Sequence, residues 1–278
     1  MRDVSFGQYY PAESVIHRLD PRVKLVSAVL YIVAIFFIQT FTGFGIIAVF
    51  LLTVIILSGV PIGKVLKSIR AVIFLVLFTA VMSALFYKDG SAEPLAAWWI
   101  FKIYKNGLIN AVRMALRLVF LVLGPSVLTL TTTPVELTDG LESLLKPLSM
   151  IKLPVHECAI IMSIALRLIP TLMEETEKIM NAQKARCANF DTGSLFQRAK
   201  SMIPILIPLF VSSFRRADEL ADAMDSRCYK GAKGRTRMKV LRLHVRDLIA
   251  SFIMLALFAF IIILRYNFLN WAFIAVLI

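Results

Sequence analysis

Apolar residues are grouped in five long runs, each bounded by polar or turn-forming residues. A helix that crosses a bilayer needs about 20 residues, each of which advances the helix by about 1.5 Å. The runs come close to that length and predict five membrane-spanning helices, at residues 25–40, 44–60, 69–87, 108–132 and 248–264. The pattern predicts an all-α membrane protein with about five transmembrane helices. It leaves the structure of residues 265–278 open.

The apolar runs of residues 134–246 are shorter, and each run leads directly into a charged stretch. The first of them, residues 158–169, stops at Pro170, and the second, residues 202–214, contains two prolines. Runs of about a dozen residues are typical of interfacial or protein-buried helices. We expect two long helices, each with an apolar first half and a polar second half. The chain is thereby divided into residues 1–133, an inserted cytoplasmic module at 134–246, and a last helix and tail at 247–278.

Lysine and arginine are distributed unevenly, which predicts the orientation in the membrane. The chain has a formal net charge of +13, and 59% of its residues are hydrophobic. With the N-terminus in the cytoplasm, the segments on that side hold 25 of the 31 basic residues. Residues 227–246 contain eight bases and no acid. This favours attraction to anionic lipids, and no nucleic-acid partner is expected.

The two charged stretches of the module end in the same way. When Arg186 is aligned with Arg227, each arginine lies between a small residue and a cysteine. The two triplets are Ala185, Arg186 and Cys187, and Ser226, Arg227 and Cys228. An arginine at a helix C-terminus is favourable by about 0.3–1 kcal/mol, which is a purely structural explanation. A guanidinium group also offers a rigid fork of donors for carboxylates, so two such ends would suit two equivalent grooves of a partner.

Several motifs resemble the transmembrane T component of energy-coupling factor (ECF) transporters, which are bacterial importers of vitamins and metal ions. The opening residues 7–9 with His-Arg-Leu-Asp-Pro-Arg at 17–22 are similar to the family's entry to its first span. Two further regions resemble the family's paired helix ends: residues 165–186, and residues 216–224 with the Ser-Arg-Cys-Tyr that follows. The resemblance covers essentially the whole chain. It implies a multi-pass protein of the prokaryotic cell (inner) membrane, with the N-terminus and the module in the cytoplasm.

The resemblance also implies partners. Arg186 and Arg227 would contact acidic residues on two cytoplasmic ABC ATPase subunits, which would hold ATP and Mg²⁺, so no cofactor, catalytic residue or metal site is expected in this chain. The apolar halves of the two helices would hold a separate substrate-binding membrane subunit, the S component. The expected contact residues are Ile161, Leu166, Ile169, Leu206, Leu209 and Phe210. In the family the paired signature is Ala-Arg-Gly, so cysteine replaces a glycine that favours a left-handed helix stop.

Acidic residues on the same helices allow an alternative of a different class. Membrane prenyltransferases hold magnesium-diphosphate between two acidic helix segments, because Mg²⁺ prefers oxygen ligands. The candidate segments are Asp218, Asp222 and Asp225, and Glu174, Glu175 and Glu177. Five spans are few for the cavity of such an enzyme, and nearby bases can pair with these acids. The sequence has no phosphate-binding GxxxxGK[ST] motif, so a coupling subunit would depend on its partners for ATP hydrolysis.

Overall fold

The computed structural model describes residues 9–86, 96–98, 101–147, 154–188, 190, 194–231 and 243–277. Within these residues the chain forms eight α-helices and one two-stranded antiparallel sheet. The helices are α1 (Pro21–Phe37), α2 (Phe41–Ser58), α3 (Ile62–Phe86), α4 (Lys105–Thr131), α5 (Pro134–Leu145), α6 (Val155–Ala185), α7 (Leu195–Ser226) and α8 (Val245–Leu277). The strands are β1 (Ala96–Trp98) and β2 (Phe101–Ile103), with Ala97 opposite Lys102. The all-α membrane class is confirmed, and the short sheet is an addition that the apolar pattern did not predict.

Each of the five predicted spanning segments corresponds to a helix, but the first, α1, has 17 residues and is not among the described helices that are long and apolar enough to cross a membrane. The helices begin three to seven residues earlier than predicted, and polar residues cap the first two: Asp20 accepts a hydrogen bond from the backbone N–H of Arg22, and Thr40 from that of Gly43. Helix α1 also ends early, since Ile38 has an extended backbone (φ −76°, ψ 126°). Helix α8 continues to Leu277, so most of the segment that the sequence left open is helical.

Four of the described helices are long and apolar enough to cross a membrane: Phe41–Ser58, Lys105–Thr131, Val155–Ala185 and Val245–Tyr266. The bent pair Ile62–Arg70 and Val72–Ser83 makes a fifth if it is one span. The two long helices that the sequence predicts are confirmed as α6 and α7, and α6 corrects the expectation that an apolar run stopped by Pro170 is too short to cross a membrane. The helix is 31 residues long and contains this proline, because the hydrogen bonds on either side outweigh the one that is lost.

The helices fall into two compact units, divided between residues 141 and 142 and between residues 240 and 241. The first unit contains helices α1–α4 and α8, and the second contains α6 and α7. Compactness does not by itself define a functional module, so the predicted limits of 134–246 stay a prediction.

A core of aliphatic side chains from α1, α2, α3, α4 and α8 holds the first unit together. Ala34, Ile35 and Ile47 are completely or almost completely buried. Tyr31 lies against Gly124, where a Cβ atom would overlap the tyrosine ring, so glycine permits this close contact between α1 and α4. The hydroxyl of Tyr31 donates a hydrogen bond of 3.0 Å to the carbonyl of Phe120, which satisfies its polar atom.

The His-Arg-Leu-Asp-Pro-Arg motif forms a buried polar network before α1. The carboxylate of Asp247 accepts hydrogen bonds from the backbone N–H groups of Asp20 (2.8 Å) and His244 (2.7 Å). Lys24 donates from Nζ to the carbonyls of His17 (3.0 Å) and Thr131 (3.1 Å). Asp247 and Lys24 are 2% and 6% exposed. The network therefore ties the entry to α1 to the start of α8 and the end of α4.

Candidate functional site

Helices α6 and α7 end with the same backbone geometry. Arg186 caps α6 with φ −90° and ψ 20°, and Arg227 caps α7 with φ −91° and ψ 13°. The next residues, Cys187 and Cys228, have φ of 63° and 55°, and they are the non-glycine residues of positive φ in the described part of the chain. The aligned sequences therefore form two copies of one local structure.

The hydrogen bonds at the two ends are also equivalent. At α6 the N–H of Cys187 donates to the carbonyl of Lys184 and the N–H of Ala188 to that of Gln183, both at 3.0 Å. At α7 the N–H of Cys228 donates to Asp225 (2.9 Å) and that of Tyr229 to Met224 (3.1 Å). This is the Schellman arrangement, which satisfies carbonyls that a helix end leaves without a partner.

The cysteine after each arginine has the left-handed backbone conformation for which the family has glycine. Each cysteine adopts the conformation that glycine favours, at a cost of about 1–2 kcal/mol for an L-residue. The turn after each arginine therefore keeps the backbone path of a glycine stop and adds a small side chain. Cys187 and Cys228 are both exposed, so that side chain lies at the surface of each tip.

Replacing Cys187 and Cys228 with glycine is expected to stabilise both helix ends. The relief of left-handed strain exceeds the added flexibility of glycine, so we expect a net gain of about 0.5–1 kcal/mol at each end. Amide hydrogen exchange at Ala188 and Tyr229 should slow by roughly two- to fivefold.

The matched control is Cys158→Gly, because Cys158 is exposed on α6 but lies inside the helix. There glycine is expected to destabilise the helix by about 1 kcal/mol and to speed local exchange. Equal effects at Cys158 and at the two end positions would contradict the left-handed assignment.

The two arginine side chains are accessible. Ala185, Arg186 and Cys187 are exposed, as are their counterparts Ser226, Arg227 and Cys228. Within the described residues, neither guanidinium group forms an ion pair or a hydrogen bond with another side chain. Their position at the helix ends agrees with the structural explanation from the helix dipole, and their donors are also available to a partner.

An ion pair joins the two helices at equivalent positions. Nη2 of Arg216 on α7 lies 2.9 Å from Oε2 of Glu175 on α6, and both side chains are partly buried. The alignment that matches Arg186 with Arg227 also matches Glu175 with Arg216, so each partner lies 11 residues before the arginine of its own helix. At about 1.5 Å per residue, both arginines lie about 16 Å along their helices from the contact. The motif analysis missed this pairing, although equal spacing with opposite charge could have indicated it.

The expected contact residues for a membrane partner differ in exposure. Ile161 (66%), Leu206 (46%) and Phe210 (61%) are exposed. Leu166, Ile169 and Leu209 are half-buried. The structure adds an exposed apolar stripe on α7 that the sequence analysis did not select as a whole: Phe196, Ile203, Ile207, Phe210 and Phe214, each between 47% and 80% exposed. These residues recur at i, i+7, i+11, i+14 and i+18, which is a helical period. The period continues past both prolines, so the stripe could have been found from the sequence.

Comparison with known proteins gives the family. A model of the CbiQ family, described as cobalt transport protein, matches residues 12–240. The chain belongs to this family. Among its relatives are proteins named energy-coupling factor transporter transmembrane protein EcfT. The one from Clostridium kluyveri is 53% identical over 265 residues, covering 95% of this chain and 98% of the relative. The one from Bacillus subtilis is 44% identical over 262 residues, covering 94% and 98%.

These relatives confirm the resemblance to the T component and do not support the prenyltransferase alternative, since they are named as transport subunits. Glu175 pairs with Arg216, and Asp218, Asp222 and Asp225 are exposed. The part of the chain that the structure describes brings together no group of three or more histidine, cysteine or acidic residues that could hold a metal ion.

Proposed function

We propose that the chain is the transmembrane coupling subunit of an ECF-type ABC importer. It would transmit the motion of two cytoplasmic ATPase subunits to a separate membrane subunit that binds a vitamin or a metal ion. The observation that carries the proposal is the pair of identical arginine-capped helix ends, with exposed guanidinium groups at equal distances from the contact between α6 and α7. The names of the relatives support it.

Each helix end has the chemistry needed to bind in an acidic groove of a partner. The guanidinium of Arg186 or Arg227 can donate two parallel hydrogen bonds to one carboxylate. The small residues on either side, alanine or serine before and cysteine after, allow the tip to approach a groove closely. Because the two ends share one backbone geometry, they suit two copies of the same ATPase surface. ATP and Mg²⁺ would bind to those subunits.

The contact between Glu175 and Arg216 would couple the two ends. When ATP binding brings the ATPases together, the arginine tips would be carried toward each other. Helices α6 and α7 are stiff over the distance of about 16 Å between the contact and each tip, so motion of the tips changes the angle at which the helices meet. That change would reorient the apolar halves of both helices.

The exposed stripe on α7 is the surface that we assign to the substrate-binding subunit. Phe210 and Phe214 are 61% and 68% exposed, and the stripe continues on both sides of Pro208. Exposed apolar surface of this extent is typical of a protein or membrane contact. The transported substrate would be selected by the partner subunit, so one coupling chain could serve a vitamin or a metal ion.

The orientation of the chain is part of the proposal. The excess of lysine and arginine in residues 1–24, 59–70 and 134–246 favours a cytoplasmic N-terminus and a cytoplasmic module in a prokaryotic cell membrane. This orientation would bring both arginines to the side where ATP is available.

Removing two side chains of the exposed stripe on α7 tests the proposal. Ile207→Ala with Phe210→Ala removes two exposed anchors, which would lower the affinity for the substrate-binding subunit by at least tenfold. The measurement is affinity purification of the tagged chain from its own membranes, with mass spectrometry of the chains that copurify. We expect the wild-type chain to retain two ATPase subunits and one further membrane subunit, and the variant to retain only the ATPases.

Phe252→Ala is the matched control, because Phe252 on α8 is 74% exposed but lies in the other compact unit. This variant should retain every partner. The proposed function would be wrong if the wild-type chain copurified with no ATPase. The assignment of the stripe alone would be wrong if both variants kept the membrane subunit.

A further inference from the structure

The first unit contains a cavity of about 480 Å³ that is partly open to its surroundings. Helices α1, α2, α4 and α8 and the segment before α1 form its walls. Most lining residues are aliphatic, among them Val23, Val54, Leu57, Val127, Ile253 and Met254. A cavity of this size is within the range that binds small organic ligands.

Three of the four hydroxyl groups of the wall, all but that of Ser27, already donate hydrogen bonds to backbone carbonyls. Tyr31 donates to the carbonyl of Phe120 (3.0 Å), Thr53 to that of Val49 (2.9 Å) and Thr131 to that of Val127 (2.8 Å). These groups therefore do not select a polar ligand. Along most of its length the wall can contact only apolar atoms.

The charged lining residues, Lys24 and Arg246, lie at one end of the cavity. Two hydrogen bonds bring the charged residues to the same end. Lys24 donates to the carbonyl of Thr131 at the end of α4. The backbone N–H of Asp20 donates to Asp247, the residue that follows Arg246 at the start of α8. From Lys24 the lining extends to Tyr31, about 10 Å along α1 at a rise of about 1.5 Å per residue. On α8 it extends about 12 Å from Arg246 to Met254 by the same measure. The cavity is thus apolar along its length and basic at one end.

The two bases differ in what they can offer to a ligand. Lys24 is 6% exposed, and Nζ already donates to two backbone carbonyls, so it retains one donor. The carboxylates of Glu136, Asp247 and Asp20 lie near Lys24 and offset its charge. Arg246 is exposed, and within the described residues its side chain forms no hydrogen bond or ion pair. Arg246 therefore supplies the uncompensated positive charge at this end.

We propose that the cavity binds an acyl chain of an anionic phospholipid, whose phosphate is bound by Arg246. The ligand must be amphipathic and negatively charged, because the wall is apolar and the one uncompensated group is a cation. The unit contains three of the four described helices that are long and apolar enough to cross a membrane, α2, α4 and α8, so we expect phospholipid around it. The excess of bases predicts that Arg246 faces the cytoplasm, and the cytoplasmic leaflet carries the anionic lipids. This site is separate from the diffuse attraction expected for the basic segment 227–246.

Lipid-dependent thermal stability of the purified full-length chain tests this proposal. Samples in detergent receive phosphatidylglycerol, phosphatidylcholine or inorganic phosphate. Phosphatidylglycerol should raise Tm at lower concentrations than phosphatidylcholine, and inorganic phosphate should have no effect. Arg246→Gln should weaken the phosphatidylglycerol effect roughly fivefold, the contribution of one base near an anionic surface. Arg246 is exposed, so this variant should fold normally.

Two further variants distinguish lipid binding in the cavity from diffuse attraction of lipid to basic residues elsewhere on the chain. Ala250→Leu fills the cavity from α8 and should abolish the preference for phosphatidylglycerol. Arg70→Gln removes an exposed base that does not line the cavity, and the preference should stay unchanged. Equal loss in Arg70→Gln and Arg246→Gln would overturn the proposal in favour of diffuse attraction. Equal stabilisation by both lipids, or by inorganic phosphate alone, would overturn it as well.

Discussion

Reversing the charge of both Arg186 and Arg227 should release the ATPase subunits and abolish uptake, while the chain still inserts into the membrane. Both side chains are exposed at helix ends, so Arg186→Glu and Arg227→Glu should leave the fold intact. Loss of a hydrogen-bonded charge pair at an interface costs about 2–5 kcal/mol at each site, and an acid placed against an acid adds repulsion. At the lower limit each reversal weakens binding by roughly 30-fold. Copurification of ATPases and uptake by whole cells are the measurements.

The matched control reverses Arg198 and Arg215, which are also exposed on α7 but lie well before its arginine tip. This double variant should retain the ATPases and support uptake. Each single tip variant should retain one ATPase contact and show an intermediate loss. If the tip variant and the control lost the ATPases to the same extent, the loss would be due to the change in overall charge and not to the position of the arginines at the helix ends.

Asp247→Ala is expected to give the largest loss of stability, about 3 kcal/mol, the lower end of the range of about 3–5 kcal/mol that is typical for breaking a buried charged network. The substitution leaves the buried N–H of Asp20 and the partly buried N–H of His244 without their acceptor, and it removes an anion beside Lys24. The corresponding fall in Tm is roughly 6–12 °C for a protein of this size. Thermal unfolding of the purified chain, followed by circular dichroism, is the measurement.

Two control variants separate charge from hydrogen bonding. Asp247→Asn retains one acceptor oxygen and should lose about half as much stability as the alanine variant. Asp222→Ala removes an exposed carboxylate from α7 and should change stability by less than about 0.5 kcal/mol. If Asp247→Ala matched Asp222→Ala, the buried network would have no part in holding α8 to the entry of α1.

The apolar runs predicted the membrane helices, because burial in lipid requires continuous apolar segments whose backbone groups are bonded within the helix. The limits of these helices depended on capping by single polar residues, such as Asp20 before α1. The long helix α6 was expected from the apolar run and the charged stretch that follows it. That this helix is long and apolar enough to cross a membrane was not expected, because Pro170 interrupts the run on which the prediction was based.

Repetition made the candidate site partly predictable. Arg186 and Arg227 could be selected because the residues around the first recur around the second. The left-handed backbone at Cys187 and Cys228 could not, because cysteine has no preference for positive φ. The pairing of Glu175 with Arg216 could have been indicated by their equal spacing from the two arginines and their opposite charges. The bond between Asp20 and Asp247 joins residues distant in sequence, so it follows from tertiary packing and not from local pattern.

Photocrosslinking from the two helix ends tests the central claim most directly. Cys187 and Cys228 are exposed native thiols next to the arginines, so after Cys158→Ser each can be labelled separately, in variants that keep one end cysteine, with a thiol-reactive photocrosslinker. Illumination of the assembled complex should capture an ATPase subunit from position 187 and an ATPase subunit from position 228. Capture of other proteins from both positions, with no ATPase adduct at either, would contradict the account.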